Sequence, residues 1–293
     1  MRKYLIVVFF SFFAFTLAQG EIQAVDDEGN TVRLDTPAQR IVSLAPHITE
    51  MLFAVGAGER IVATVRFSDF PEASKSIPKI GSYKEISMES LVSLNPDLVI
   101  AWPSGNGDEI VRRLKNLELP VYLDEPREIT DIADSLRRFG VLTGSESQAN
   151  QAADNFSRDF LNLRSSYSEK KTVSVFYQVW DEPLTTLNGE HLISDVIRLC
   201  GGINVFEAAL PLAPIVSVEA VLSADPQVIV VSGMGDERPD WLDYWKKWPA
   251  LAAADKDQLY FIPPDFLQRS SPRIIIGAAQ MCEFIDTART VYR

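Results

Sequence analysis

His47 and His191 are the only histidines in this 293-residue chain, and Cys200 and Cys282 are the only cysteines. A zinc or manganese site needs several convergent imidazole, thiolate or carboxylate ligands, and two isolated histidines supply no such set, so no metal site is expected. The same scarcity leaves no Ser-His-Asp triad to assemble, and no Gly-x-Ser-x-Gly turn occurs. Gly56-Ala57-Gly58 lacks the third glycine of a dinucleotide fingerprint and follows a helical segment instead of a strand. Only a glycosidase built on paired carboxylates stays open, because the chain has 40 acidic residues.

The aromatic residues suggest binding instead of catalysis. Phe67, Trp102, Trp180 and Phe266 each stand at or just past the end of a short apolar run, and Tyr83 follows Gly81-Ser82. If those runs are parallel strands, their carboxyl ends converge on a crevice, and ring faces there suit a broad, flat ligand. Asp265 and the Ser232-Gly233-Met234 turn are candidates for polar contacts at the rim.

The elements that must position these residues are announced by an internal repeat. SMESLVSLNPDLVIAW from Ser87 returns as SVEAVLSADPQVIVVS from Ser217. Each copy opens with a helix-capping Ser, carries an acidic residue in the first turn, and stops at Asn95-Pro96 or Asp225-Pro226. Uninterrupted apolar runs follow, Leu98 to Trp102 and Val228 to Val231, as in strands buried on both faces of a parallel sheet. Strands at 40–44, 60–65, 172–179 and 258–262, with helices at 48–55 and 192–199, extend the alternation, and 25–32 reads as a hairpin. Glu146 to Lys170 has neither Pro nor Gly and spaces Phe156, Phe160, Leu163 and Tyr167 as one stripe of a long helix. The expected fold is therefore α/β: lobes over 21–144 and 172–293, each with a parallel central sheet, joined by one rigid helix over 145–171.

Arg2 and Lys3, an uncharged run from Tyr4 to Leu17 and Ala18-Gln19-Gly20 read as a cleaved export signal over 1–20. Its removal takes two basic residues and no acidic ones, moving the formal charge from −12 to −14. So acidic a chain argues against nucleic acid and anionic membranes as partners. An oxidising compartment favours a Cys200–Cys282 disulfide over two free thiols.

With RIVSLAP and ITE (40–50), FSDFPE (67–72), NPDLVIAW (95–102), CGGINVF (200–206) and SPRIIIGAAQMC (271–282), the chain resembles the helix-linked class of periplasmic substrate-binding proteins of ABC importers, and within it the cobalamin (vitamin B12) binders. The resemblance implies a soluble periplasmic protein, monomeric when free and not an enzyme, that carries cobalamin or a similar macrocycle as cargo and holds no resident cofactor. It also implies that Glu89 and Glu219, matched in the repeat, dock on a dimeric inner-membrane permease. Their alternative role is to favour two helix N-termini. In the first lobe Phe67, Tyr83 and Trp102 keep the aromatic character of the cobalamin binders. In the second, Thr185 and Ala213 align where those proteins carry Phe and Trp, with Trp180 nearby. Haem or a ferric siderophore is the alternative cargo, although Arg66, Arg269 and Arg273 are the only arginines expected near the cleft.

Overall fold

A computed structural model describes residues 21–292 except Ser168, Met234 and Asp236. The segment read as an export signal, 1–20, lies outside the described residues. The chain enters through a hairpin of β1 (Ile22–Val25) and β2 (Thr31–Leu34), tightened by the Asp26 carboxylate, which accepts from Glu28 N and Asn30 N. There follow β3 (Ile41–Ser43), α1 (Pro46–Ala54), β4 (Ile61–Ala63), the small hairpin of β5 (Gly81–Ser82) and β6 (Glu85–Ile86), α2 (Met88–Ser93), β7 (Leu98–Ala101), α3 (Pro103–Asn106), α4 (Asp108–Lys115) and β8 (Val121–Leu123). The strands β4-β3-β7-β8 form a parallel sheet in that order.

Helix α5 (Ile129–Thr143) ends at Gly144, which takes φ +64, and α6 (Glu146–Tyr167) starts at once. The two helices pack closely because Gly140 faces Ala149, where a Cβ on Gly140 would come within 2.3 Å of the Ala149 methyl. Helix α6 is shorter than the sequence pattern suggests: it stops at Tyr167, and Lys170 N donates to Tyr167 O in a turn.

Beyond it come β9 (Val173–Gln178), α7 (Leu192–Leu199), β10 (Gly202–Asn204), α8 (Val218–Ala224), β11 (Val228–Val231), α9 (Ala252–Asp255), β12 (Leu259–Phe261), α10 (Pro264–Leu267) and α11 (Ile274–Val291). The second parallel sheet runs β10-β9-β11-β12. Both copies of the repeat therefore end in the third strand of a four-stranded sheet, β7 in one and β11 in the other. Even the helix stops agree: Asn95 and Asp225 both take left-handed backbone, φ +48 and +42, just before proline.

Double-sided burial explains the apolar runs. Leu98 and Ile100 of β7, with Val228 and Val230 of β11, belong to one core shared by both lobes and by Phe156 of α6. The alternate residues Val99 and Ala101 face a separate cluster over the first sheet, and Ile229 and Val231 another over the second. A Cys200–Cys282 disulfide ties the end of α7 to α11 within the second lobe. Closing a loop of 82 residues contributes roughly 4 to 5 kcal/mol in the chain-entropy account.

Candidate ligand-binding site

A cleft of about 310 Å³ opens between the lobes at the carboxyl ends of the strands. The first lobe contributes Tyr83 from the β5–β6 turn, Trp102 past β7, and Glu125 and Arg127 past β8. The second contributes Val179 past β9, Leu187, His191, Leu212 and Ala213 from loops, and Gln268 past α10. The first-lobe wall thus sets two aromatic rings among the charged Lys84, Glu125 and Arg127, and the second-lobe wall is mainly aliphatic.

The aromatic wall is held from below. Tyr83 and Trp102 lie 5.9 Å apart between ring centroids at 43°, and buried His47 meets Trp102 edge-on at 5.1 Å. Burial, with the Arg269 charge adding to it, pushes His47 down to about 3, so its ring packs as a neutral group. Asn106, 5% exposed, ties the backbones together: its Oδ1 accepts from Trp102 N at 2.7 Å, and its Nδ2 donates to Tyr83 O at 2.7 Å and Leu44 O at 3.0 Å. Gly105 leaves the space the indole occupies, because a Cβ there would lie 1.9 Å from the Trp102 ring.

Of the other expected contacts, Phe67, Trp180, Asp265 and Phe266 are not among the residues lining this cleft. Phe67 stands 62% exposed at φ +66, beside the strand that leads to Tyr83, since Arg66 N donates to Gly81 O. Trp180 is drawn into its own turn: it bridges Thr185, which bridges Ile215, and its Nε1 donates to Glu182 O. Thr185 is held likewise, its hydroxyl donating to Pro183 O, so of the two altered second-lobe positions only Ala213 reaches the cleft. Phe266 lies under the Arg273 guanidinium, 5.6 Å from its ring centroid. The Ser232 hydroxyl is buried and donates to Ile262 O, and Met234 lies outside the described residues.

Asp265 belongs to a buried ion network that sequence reading missed. Glu50 of α1, 4% exposed, accepts from Arg269 Nη1 at 2.9 Å, Ser271 Oγ at 2.6 Å and Arg273 Nε at 2.9 Å, all three from the other lobe. Arg269 also pairs with Asp69 at 2.8 Å and Asp265 at 2.7 Å. Two arginines share three carboxylates across the lobe boundary: Glu50 and Arg269 are buried and compensate each other, while Asp69 and Asp265 close the network from its more exposed side. ITE and SPR, quoted above as motifs, supply both ends of this contact.

Glu89 and Glu219 stand exposed in the first turns of α2 and α8. The caps match: Ser87 Oγ accepts from Ser90 N and Ser217 Oγ from Ala220 N, each at 3.2 Å. Hydrogen bonds from its own N–H and from Ser217 hold the Glu219 carboxyl below the usual carboxylate range.

Two α/β lobes on a helical spine, enclosing a cleft at their strand ends, are the architecture of a binding protein, and a family model described as periplasmic binding protein matches residues 41–266. The chain belongs to that family. It is 33% identical over 254 residues to the vitamin B12-binding protein of Vibrio cholerae, covering 86% of this chain and 91% of that one. It is 35% identical over 246 residues to the vitamin B12-binding protein of Yersinia pestis, covering 84% and 86%. The crystal structure of the Vibrio cholerae periplasmic vitamin B12 binding protein BtuF superposes with a TM-score of 0.81 at 33% identity, covering 86% of this chain and 98% of that chain. The periplasmic heme-binding protein RhuT of Roseiflexus shares the fold, with a TM-score of 0.74 at 22% identity and coverage of 86% and 99%. No helix among the described residues is long and apolar enough to cross a membrane.

Proposed function

We propose that this protein is the periplasmic substrate-binding component of an ABC importer, and that it captures cobalamin or a related corrinoid between its lobes and delivers it to an inner-membrane permease. It performs no chemistry on its cargo and works as a monomer when free. Residues 21–144 and 172–293 act as the two jaws, and 145–171 as a stiff spacer.

The observation that carries this reading is the cleft wall formed by Tyr83 and Trp102 and braced by Asn106 and His47. Two rings held at a fixed tilt offer apolar area to a corrin edge with little loss of side-chain entropy. Phe67, outside the lining of the free cleft, joins that wall on ligand binding in this reading: a bulky residue in left-handed backbone is strained, and its ring is exposed. Asp265 serves the rim from its place beside Arg269, while Phe266 and Trp180 support from outside the cleft. Glu89 and Glu219 form the permease contacts, one on each lobe.

Calorimetric titration of residues 21–293 with cyanocobalamin, cobinamide, haemin and a ferric siderophore tests the assignment. Submicromolar one-to-one binding of cyanocobalamin is expected. Heat from haemin or the siderophore, with silence from both corrinoids, would retain the importer role and discard the corrinoid.

A further inference from the structure

The aliphatic wall of the cleft contains one imidazole. His191 stands immediately before α7 with extended backbone (φ −81, ψ 141), and its Nδ1 accepts a hydrogen bond from Ile193 N at 3.1 Å. A ring nitrogen that accepts carries no proton, so the neutral imidazole must carry its proton on Nε2. Burial first, and the Arg127 charge second, hold the ring neutral by lowering its pKa to about 4. The ring lines the cleft, and Nε2 makes no hydrogen bond among the described residues.

We propose that His191 presents a fixed Nε2–H donor to the cargo and selects for a neutral carbonyl oxygen, such as that of a peripheral carboxamide on a corrinoid. This rests on the corrinoid reading above. Ligation of the cargo's metal is disfavoured by the same geometry. To free the Nε2 lone pair the proton would have to move to Nδ1, where it would face the Ile193 N–H and break the helix cap. Lys84, Glu125, Arg127 and Glu190 also line the cleft, so its charges balance and supply no net field that would draw a carboxylate to this donor in preference to an amide.

The cap and the donor can be separated by substitution. In His191→Asn the amide oxygen still accepts from Ile193 N, because Asn is a good N-cap residue, but the donor that reached the cleft is lost. In His191→Phe both are lost. Cyanocobalamin titration should show roughly tenfold weaker binding for His191→Asn with its melting temperature unchanged, whereas His191→Phe should lose both affinity and thermal stability. Wild-type affinity in His191→Asn would overturn the proposal while leaving the corrinoid reading intact. So would a visible-absorption shift on binding to wild type that vanishes in His191→Asn, since it would put the imidazole on cobalt. Failure of wild type to bind either corrinoid would instead sink the corrinoid reading, and with it the carboxamide partner.

Discussion

Asn106 spends every polar atom of its side chain on the cleft wall, so its removal tests how far the ligand depends on pre-positioned rings. Asn106→Leu leaves Trp102 N and Tyr83 O without their partners, which should cost about 1 to 3 kcal/mol of stability. Cyanocobalamin affinity should fall by about tenfold or more, read by calorimetry beside a urea titration; equal affinity would mean that the rings keep their places unaided. A second buried group sets the pH response. Asp124, fully buried, is pushed by burial up to about 7. The folded state then holds a proton that the unfolded chain has already lost, so Asp124 costs stability as pH rises from about 4 and the loss ends above about 7. His47 and His191, held low, act oppositely and cost stability as pH falls below 6.5. The difference between variant and wild type isolates the carboxyl: Asp124→Asn should gain about 1 to 2 kcal/mol on wild type between pH 6 and pH 8. Parallel curves for the two proteins in urea would exclude this role. Neither residue announces itself in the sequence, because a buried polar side chain is defined by what packs around it. The place of Trp102 at a strand end could be read from the sequence; Trp180 stands at a similar place, and what the sequence does not show is the local turn that draws in its indole.

Helices α2 and α8 carry the docking hypothesis, and the repeat made them readable with their caps, stops and following strands. Matched elements bring Glu89 and Glu219 to equivalent points on two pseudo-symmetric lobes, as a two-fold symmetric partner would require. Glu89→Arg and Glu219→Arg, singly and together, should abolish stimulation of the transporter's ATPase in reconstituted vesicles and leave cyanocobalamin affinity unchanged. Loss of ligand affinity would mean that these helices serve the cleft instead. The central strands were legible for a different reason: a strand buried on both faces needs apolar residues without alternation, and 98–101 and 228–231 have nothing else. Helix α6 was found by its stripe but carried too far, to Lys170, which lies in a turn, since a helix end depends on the turn that follows it.

At the scale of the whole molecule, the shared core through α6 and the Glu50 network restrain the lobes together. Small-angle scattering with and without cyanocobalamin should therefore show little change in radius of gyration for wild type. Glu50→Gln removes the one deeply buried carboxylate that Arg269 and Arg273 share and leaves them only the more exposed Asp69 and Asp265, which should cost about 3 to 5 kcal/mol and widen the envelope of the free protein. A large ligand-driven compaction of wild type would refute the restraint. This contact joins residues 219 positions apart, so pattern and spacing in the sequence, both local signals, could not reveal it.

The burial of that network has a consequence for how the two halves of the task respond to the medium. Mobile ions screen exposed charges over about 10 Å at 0.1 M salt but penetrate a buried pair poorly. The jaws, clamped by Glu50 at 4% exposure, should keep one geometry from dilute to saline surroundings. Glu89 and Glu219 lie in solvent and enjoy no such shelter. Rising ionic strength would then leave the cargo in place while weakening its hand-over, so that capture and delivery part company along a single axis of salt.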